Sequence, residues 1–432
     1  MATLYLDNFR GFSKTIIPLD HVNFLIGENS TGKSSVLALV NLLCSPDFWF
    51  IQNFNSPDYE FGGFRDILSA TAQDKSHFTI GFCHKARDRE TRTNVSQCYV
   101  LSYEEREALP MLAFVARTDG RKLFVMRAVK GKFRFRVDNI PDDWKEKDPD
   151  PLFGLLMRER ERDLNTFQDL PKSIPLKPGF PPFLGMLDFL GKEERTNDAK
   201  ISFPFPIPTA DLVWFAPIRT RPKRTYDGYG QPFNSEGEHT PYLLRRQLTA
   251  DKPTEFRKAI EAFGKASGLY HKVIINRLGE DAASPFELLV ELAPKCPLRV
   301  NSVGYGVSQV LPLVVEMIAR RKRSWFAIQQ PEVHLHPRAQ AALGDLIYQV
   351  AELNEKRFLV ETHSDFTVDR FRMNFRQNKE HKTTAQVLFF KRTSIGNEVS
   401  IIKIDPNGEY PEDQPPAFRE FFVKEQLSLL GA

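Results

Sequence analysis

The stretch Gly27-Glu28-Asn29-Ser30-Thr31-Gly32-Lys33-Ser34 has the spacing G-x-x-x-x-G-K-S, and the rest of the chain is read outward from it. The run before it, Val22-Asn23-Phe24-Leu25-Ile26, is apolar and short enough for one buried strand. The run after it, Ser35-Val36-Leu37-Ala38-Leu39-Val40-Asn41-Leu42-Leu43, has the spacing of a largely buried helix. Strand, glycine loop and helix N-terminus in that order form an anion hole. Backbone N–H groups point inward, the helix dipole favours negative charge, and the two glycines let phosphate oxygens approach closely. Gly27, Asn29, Ser30, Thr31, Gly32, Lys33, Ser34 and Ser35 are therefore the candidate nucleotide-binding residues. The lysine of such a loop, here Lys33, reaches the β- and γ-phosphates, and the hydroxyl of Ser34 holds Mg²⁺. The expected ligand is a nucleoside triphosphate with Mg²⁺.

At 432 residues, with 41% hydrophobic and 26% charged positions, the chain reads as an ordinary globular protein of two or three domains. A net charge of +4 is too small to argue by itself for nucleic acid or an anionic membrane. Cys44, Cys83, Cys98 and Cys296 lack C-x-x-C spacing, so neither a zinc site nor a disulfide framework is expected, and they read as reduced thiols in a cytoplasmic protein. The opening MATLYLDNFRGF is charged where a secretory leader has an apolar core, and no span reaches transmembrane length, so no membrane partner is expected.

The chain divides by character into three parts. Residues 1–138 read as an N-terminal lobe with the phosphate loop, in which segments such as His77–Phe82, Gln97–Tyr103 and Lys122–Met126 alternate like antiparallel strands. Gln52 is a weak candidate to touch Mg²⁺. Residues 139–210 are rich in proline and predict an irregular insertion with some helix, and Arg158-Glu159-Arg160-Glu161-Arg162-Asp163 predicts one solvated helix face. No sustained heptads appear, so no long coiled coil is encoded. Residues 211–432 return to core. There Arg219, Arg221, Lys223 and Arg224 follow a buried strand, placing four cations in six residues to grip phosphate or nucleic acid, or simply to be solvated.

Three further stretches carry chemistry. Asn301 to Pro312 holds Gly304, Gly306, Ser308 and Gln309 ahead of an apolar helix, a second helix start able to cap a phosphate. Ser324-Trp325-Phe326-Ala327-Ile328-Gln329-Gln330-Pro331-Glu332 is an apolar strand ending in two amides and a carboxylate. His334 and His336 beyond it share a strand face, which suits a metal, but no third ligand accompanies them. Arg357-Phe358-Leu359-Val360-Glu361-Thr362-His363-Ser364 is a buried strand with His363 just past its end.

In this order these motifs, with Asn8-Phe9-Arg10-Gly11-Phe12 ahead of the phosphate loop, resemble stand-alone OLD-like ATPases of the ABC type, an AAA family related to SMC and RecF heads. The resemblance implies an α/β fold, an ABC-type P-loop ATPase head with a mainly parallel sheet, an antiparallel β subdomain and a helical or irregular insertion. It implies ATP and Mg²⁺ as cofactors. Gly306 and Ser308 would be the signature residues that reach the nucleotide of another subunit, which makes the chain a homo-oligomer, a dimer or a ring of dimers. Gln329 would stand at the Mg²⁺ position and Gln330 at the water position, where the family usually has carboxylates. An amide cannot accept the proton of water as a carboxylate does, so slow hydrolysis is expected, with Glu332 the nearest substitute and His363 the switch histidine. OLD nucleases carry a Toprim domain after this point, and the 69 residues beyond His363 do not hold one, so nuclease activity is not expected. ATPases of this kind serve as sensor or scaffold subunits in bacterial anti-phage systems such as PARIS and Septu. Such a subunit holds a separately encoded effector, a nuclease or other toxin, and is triggered by nucleic acid or a phage protein. The alternative is a DNA-binding repair or recombination ATPase of the RecF or SMC kind.

Overall fold

A computed structural model describes residues 2–87, 94–118, 120, 122–130, 132–140, 148–169, 211–227, 230–249, 254–281 and 283–421. Most of the expected insertion, residues 170–210, and the tail beyond residue 421 lie outside the described residues. The chain forms two compact units. The first comprises Met1–Asp20, Glu28–Ala210 and Phe390–Val399; the second comprises His21–Gly27, Asp211–Phe389 and Ser400–Ala432.

The first unit is built on an antiparallel sheet. Its strands are β1 (Ala2–Asp7), β2 (Thr15–Leu19), β4 (His77–Arg87), β5 (Asn94–Arg106), β6 (Leu109–Thr118), β7 (Lys122–Val129), β8 (Lys132–Asn139) and the short β9 (Gln168–Asp169). They lie in the order β2-β1-β4-β5-β6-β7-β8-β9. The alternation that predicts strands here also fixes their register, since a slip by one residue would turn the buried face outward. Beneath the sheet Phe54 and Phe78 are ringed by Phe9, Phe61, Phe64 and Tyr103, with Phe78 stacked on Tyr103 at 5.2 Å and Phe54 edge-on to Tyr103 at 4.9 Å.

Two expectations fail in this unit. Cys83 and Cys98 are not free thiols. They face each other across β4 and β5, with Cα atoms 4.0 Å apart, and form a disulfide, while Cys44 and Cys296 stay free. Strand register puts the two sulfurs together, and sequence spacing does not reveal it. Nor do residues 158–163 form a solvated helix face. The helix Pro149–Arg158 gives way to a 3₁₀ turn at Glu159–Glu161, and Glu159 is buried between Arg136 and Arg162 at 2.5 and 2.9 Å. A carboxylate can be buried here because two guanidinium groups compensate its charge.

The second unit carries the parallel sheet. Strands β3 (Val22–Gly27), β10 (Leu212–Phe215), β14 (Trp325–Gln329), β15 (Arg357–Glu361), β16 (Ala385–Thr393) and β17 (Gly396–Ile404) lie in the order β10-β14-β15-β3-β16-β17. From β10 through β3 every pairing is parallel. The turn between β16 and β17 falls in the first unit. Helices cover the sheet, so its central strands are near-continuous apolar runs. Gly344 admits the neighbouring helix: a Cβ there would stand 2.3 Å from the carbonyl of Thr367. The one polar interruption of β3, Asn23, donates to the Phe358 carbonyl at 3.1 Å and accepts from Gln386 at 2.7 Å. A separate antiparallel sheet holds β11 (Lys272–Arg277), β12 (Phe286–Ala293) and β13 (Cys296–Arg299). Among the described residues no helix is long and apolar enough to cross a membrane.

Just before β15, the buried Lys356 donates from Nζ to the Met317 carbonyl at 2.5 Å. Burial pushes its pKa from 10.5 down to about 8, against the pull of Glu316 and Asp211. Between those values the unfolded chain holds a proton that the folded chain has lost, so this lysine makes stability rise with pH from about 8 to 10.5. Urea unfolding of wild type and Lys356→Met across that range should show this slope in wild type and its loss in the variant. Parallel curves would exclude the shift.

Candidate nucleotide site

The phosphate loop is built from local sequence. Gly27 closes β3 at φ 142° and Gly32 stands at φ 91°, the left-handed region that favours glycine. The helix Lys33–Cys44 starts at once, with no side-chain cap and no acidic residue in its first turn. Glycine at the N-cap offers no side-chain acceptor, and a helix N-terminus favours an anion through its dipole. Lys33 is 3% exposed, and its Nζ donates to the Glu28 carbonyl at 2.5 Å, within its own loop. Thr31 donates to the same carbonyl at 2.7 Å. Asn29 and Ser30 are exposed, Ser34 is half-buried and Ser35 is buried. Ser30 is held at φ 60°, a strained value for a residue other than glycine, and its carbonyl accepts from Arg392 at 2.5 Å. Arg392, near the end of β16, and Asn397, near the start of β17, which donates to the Arg10 carbonyl at 3.1 Å, flank the turn between those strands, and no motif in the sequence marks them. Gln52, the weak Mg²⁺ candidate, instead ends the helix Pro46–Ile51 and accepts from the Tyr103 hydroxyl at 2.5 Å.

In the second unit, β14, β15 and β3 end at one edge of the sheet. Gln329 is in register with Glu361, and Glu361 with Leu25. Ligands of open α/β sheets bind at this carboxyl edge. Gln329 is the last residue of β14, and its amide donates to the buried Glu361 carboxylate at 3.3 Å. Gln330 is at φ 42°, and its main-chain N–H donates to the Glu361 carbonyl at 2.8 Å. Glu332 is engaged on both oxygens, by the Thr362 hydroxyl at 2.9 Å and the His363 main-chain N–H at 2.7 Å. It thereby ties the loop after β14 to the turn after β15. His363 itself is exposed.

The signature-like turn lies in the same unit. The helix Tyr305–Ala319 begins after Gly304 without a side-chain cap or an acidic first turn. Ser308 donates to the Tyr305 carbonyl at 2.8 Å. Gly306 meets the loop after β14, where a Cβ would stand 2.8 Å from the His334 carbonyl. His334, at φ 66°, lies edge-on to Tyr305 at 5.1 Å, and His336 caps the helix Pro337–Asn354. The two histidines therefore do structural work. Among the described residues no group of three or more His, Cys, Asp or Glu side chains is placed to hold a metal. Arg219 is not part of a surface grip: it is 1% exposed, whereas Arg221, Lys223 and Arg224 are exposed.

A Cβ on Gly32 would fall 2.5 Å from the ring of the fully buried Phe12. Gly32→Ala should therefore lower stability by about 2 kcal/mol or more, from left-handed backbone and overpacking together. Urea unfolding checks this; an unchanged midpoint would contradict the close contact.

Comparison with known families gives two matches. Residues 183–369 match a family described as "AAA domain, putative AbiEii toxin, Type IV TA system", and residues 1–112 match one described as "AAA ATPase domain". No curated protein sequence matches. Among solved structures, an Smc head bound to the C-terminal winged-helix domain of ScpA is 11% identical, with a TM-score of 0.43 over 93% of this chain and 97% of that one. The SMC head domain from Thermotoga maritima is 10% identical, with a TM-score of 0.39 over 92% and 97%. The recombination mediator RecF is 10% identical, with a TM-score of 0.31 over 89% and 95%. The fold is α/β, and two stretches of the chain match AAA-type family models, one covering the phosphate loop and the other the signature-like turn, Glu332 and His363.

Proposed function

We propose that this chain is a slow ATPase that uses its ATP-bound state as a holding state. The observation that carries this reading is the contrast between its two chemistries. The phosphate loop, with Gly32, Lys33 and an uncapped helix start, fits a triphosphate, whereas β14 ends in the amides Gln329 and Gln330. In this reading Gly27, Asn29, Ser30, Thr31, Gly32, Lys33, Ser34 and Ser35 bind the phosphates, and Ser34 with Gln329 serves Mg²⁺. That ion would neutralise charge on the phosphate oxygens. Gln330 and His363 would act on the reacting phosphate, and Glu332 would orient the attacking water after giving up Thr362 or His363.

Gly306 and Ser308 reach the nucleotide of a second copy, so ATP stabilises a homodimer or a ring of dimers. A subunit that binds tightly and turns over slowly suits a scaffold waiting for a trigger. The match to a family described by a toxin–antitoxin system supports a defence role in which the chain holds or releases a separately encoded effector. A salt-dependent DNA titration separates this from a repair ATPase, whose affinity would fall steeply with salt.

Lys33→Ala should abolish ATP binding in calorimetry while leaving the fold intact, and light scattering should show ATP-dependent assembly in wild type alone. Wild-type affinity in the variant would rule out this loop. Glu332→Gln should spare ATP binding and lower turnover by about 10²-fold or more, the range typical of a positioned general base. Unchanged turnover would point to another carboxylate.

A further inference from the structure

Arg219 lies four residues beyond β10 and is buried. A single side chain holds its main chain from both sides. Its N–H donates to Oε1 of Gln309, and its carbonyl accepts from Nε2 of Gln309, each at 3.3 Å. Gln309 follows Ser308 in the opening turns of the helix Tyr305–Ala319. At the other end Nη2 of Arg219 donates to the main-chain carbonyl of Gln329, again at 3.3 Å. Nε and Nη1 are buried and have no hydrogen-bond partner among the described residues. Burial pushes the guanidinium down to about 10, and the charge of Glu332 pulls it back up, so the group stays charged at neutral pH.

Packing does not account for this residue. A buried cation with two idle N–H groups is costly, and an apolar side chain of similar volume would fill the space without that cost. Its contacts name a different task. They join two things: the start of the signature-like helix and the end of β14, from which the loop bearing Glu332 leaves. We propose that Arg219 is a positioning residue, which holds the Glu332 loop in a fixed relation to the turn bearing Gly306 and Ser308. A shift of that turn moves Gln309, Gln309 moves the Arg219 main chain, and the guanidinium carries the shift to the Gln329 carbonyl, where the loop bearing Glu332 begins. The signal needs no contact between Arg219 and nucleotide. This role presupposes Glu332 as the residue that acts on water.

The test uses the full chain with Arg219→Met, Arg219→Lys, Glu332→Gln and the Arg219→Met/Glu332→Gln double variant. Thermal unfolding establishes that each folds, calorimetry gives ATP affinity, and steady-state turnover gives kcat. Arg219→Met should lower kcat by about 10²-fold, the scale of losing a positioned general base, and leave ATP affinity within about threefold. Arg219→Lys, which keeps the charge, should recover part of the loss. In the Glu332→Gln background Arg219→Met should have no further effect, because both changes remove the same function. Multiplying effects, an equal loss of affinity and turnover, or a kcat unchanged in folded Arg219→Met would each overturn the role. If Arg219→Met does not fold, Arg219→Lys decides: a kcat below wild type at unchanged ATP affinity supports the role, and a wild-type kcat overturns it. Wild type that binds ATP without ever hydrolysing it also overturns the role while sparing the binding reading. Wild type that binds no ATP overturns both.

Discussion

The parallel register of β14, β15 and β3 is the constraint on which the second unit depends. The three strands are almost wholly buried, so apolar packing on both faces fixes their pairing, and their carboxyl ends fall at one edge. Everything polar at that edge follows from the register. Gln329 meets Glu361 because they are paired residues of neighbouring strands. Glu332 reaches Thr362 and His363 because the next turn of chain on β15 lies alongside. Phe326 stacked on Phe358 at 5.1 Å is the kind of core contact that makes a slip of register costly.

The electrostatics of the edge are those of a partly neutralised centre. Two amides stand at the end of β14, one carboxylate is buried beside them, and a second is fully hydrogen-bonded in the loop. Against these stands one buried guanidinium that is incompletely paired. In the stretch after β14, Gln330 and His334 take left-handed backbone without being glycine. Each such residue costs about 1–3 kcal/mol and persists only where surrounding contacts over-determine it. Gln330 shows how, since its N–H is held by the Glu361 carbonyl.

Much of the architecture was legible because period and punctuation are local. The strand before the phosphate loop and the helix after it were visible as apolar runs, and the antiparallel strands of the first unit as alternation. The misreadings share one cause. Cys83 and Cys98, Glu159, and Arg219 were all judged by their sequence neighbours, and each is governed by a partner distant in the chain. A run of alternating charge at 158–163 looks solvated until Arg136 arrives from β8 to bury one member of it. A basic stretch looks uniform until burial separates Arg219 from Arg221, Lys223 and Arg224.

By itself the sequence determined the phosphate loop and its helix, because their hydrogen bonds run between residues a few positions apart, as from Lys33 to Glu28. It also determined that β14 ends in amides, since that is composition alone. Only the tertiary structure decided that Glu361 stands beside Gln329, that Glu332 is clasped by the turn after β15, and that Arg219 bridges a helix and a strand end. Those contacts span 32, 31 and 110 positions of chain. Strand pairing and burial bring such residues together, and neither is written in the spacing of the residues themselves.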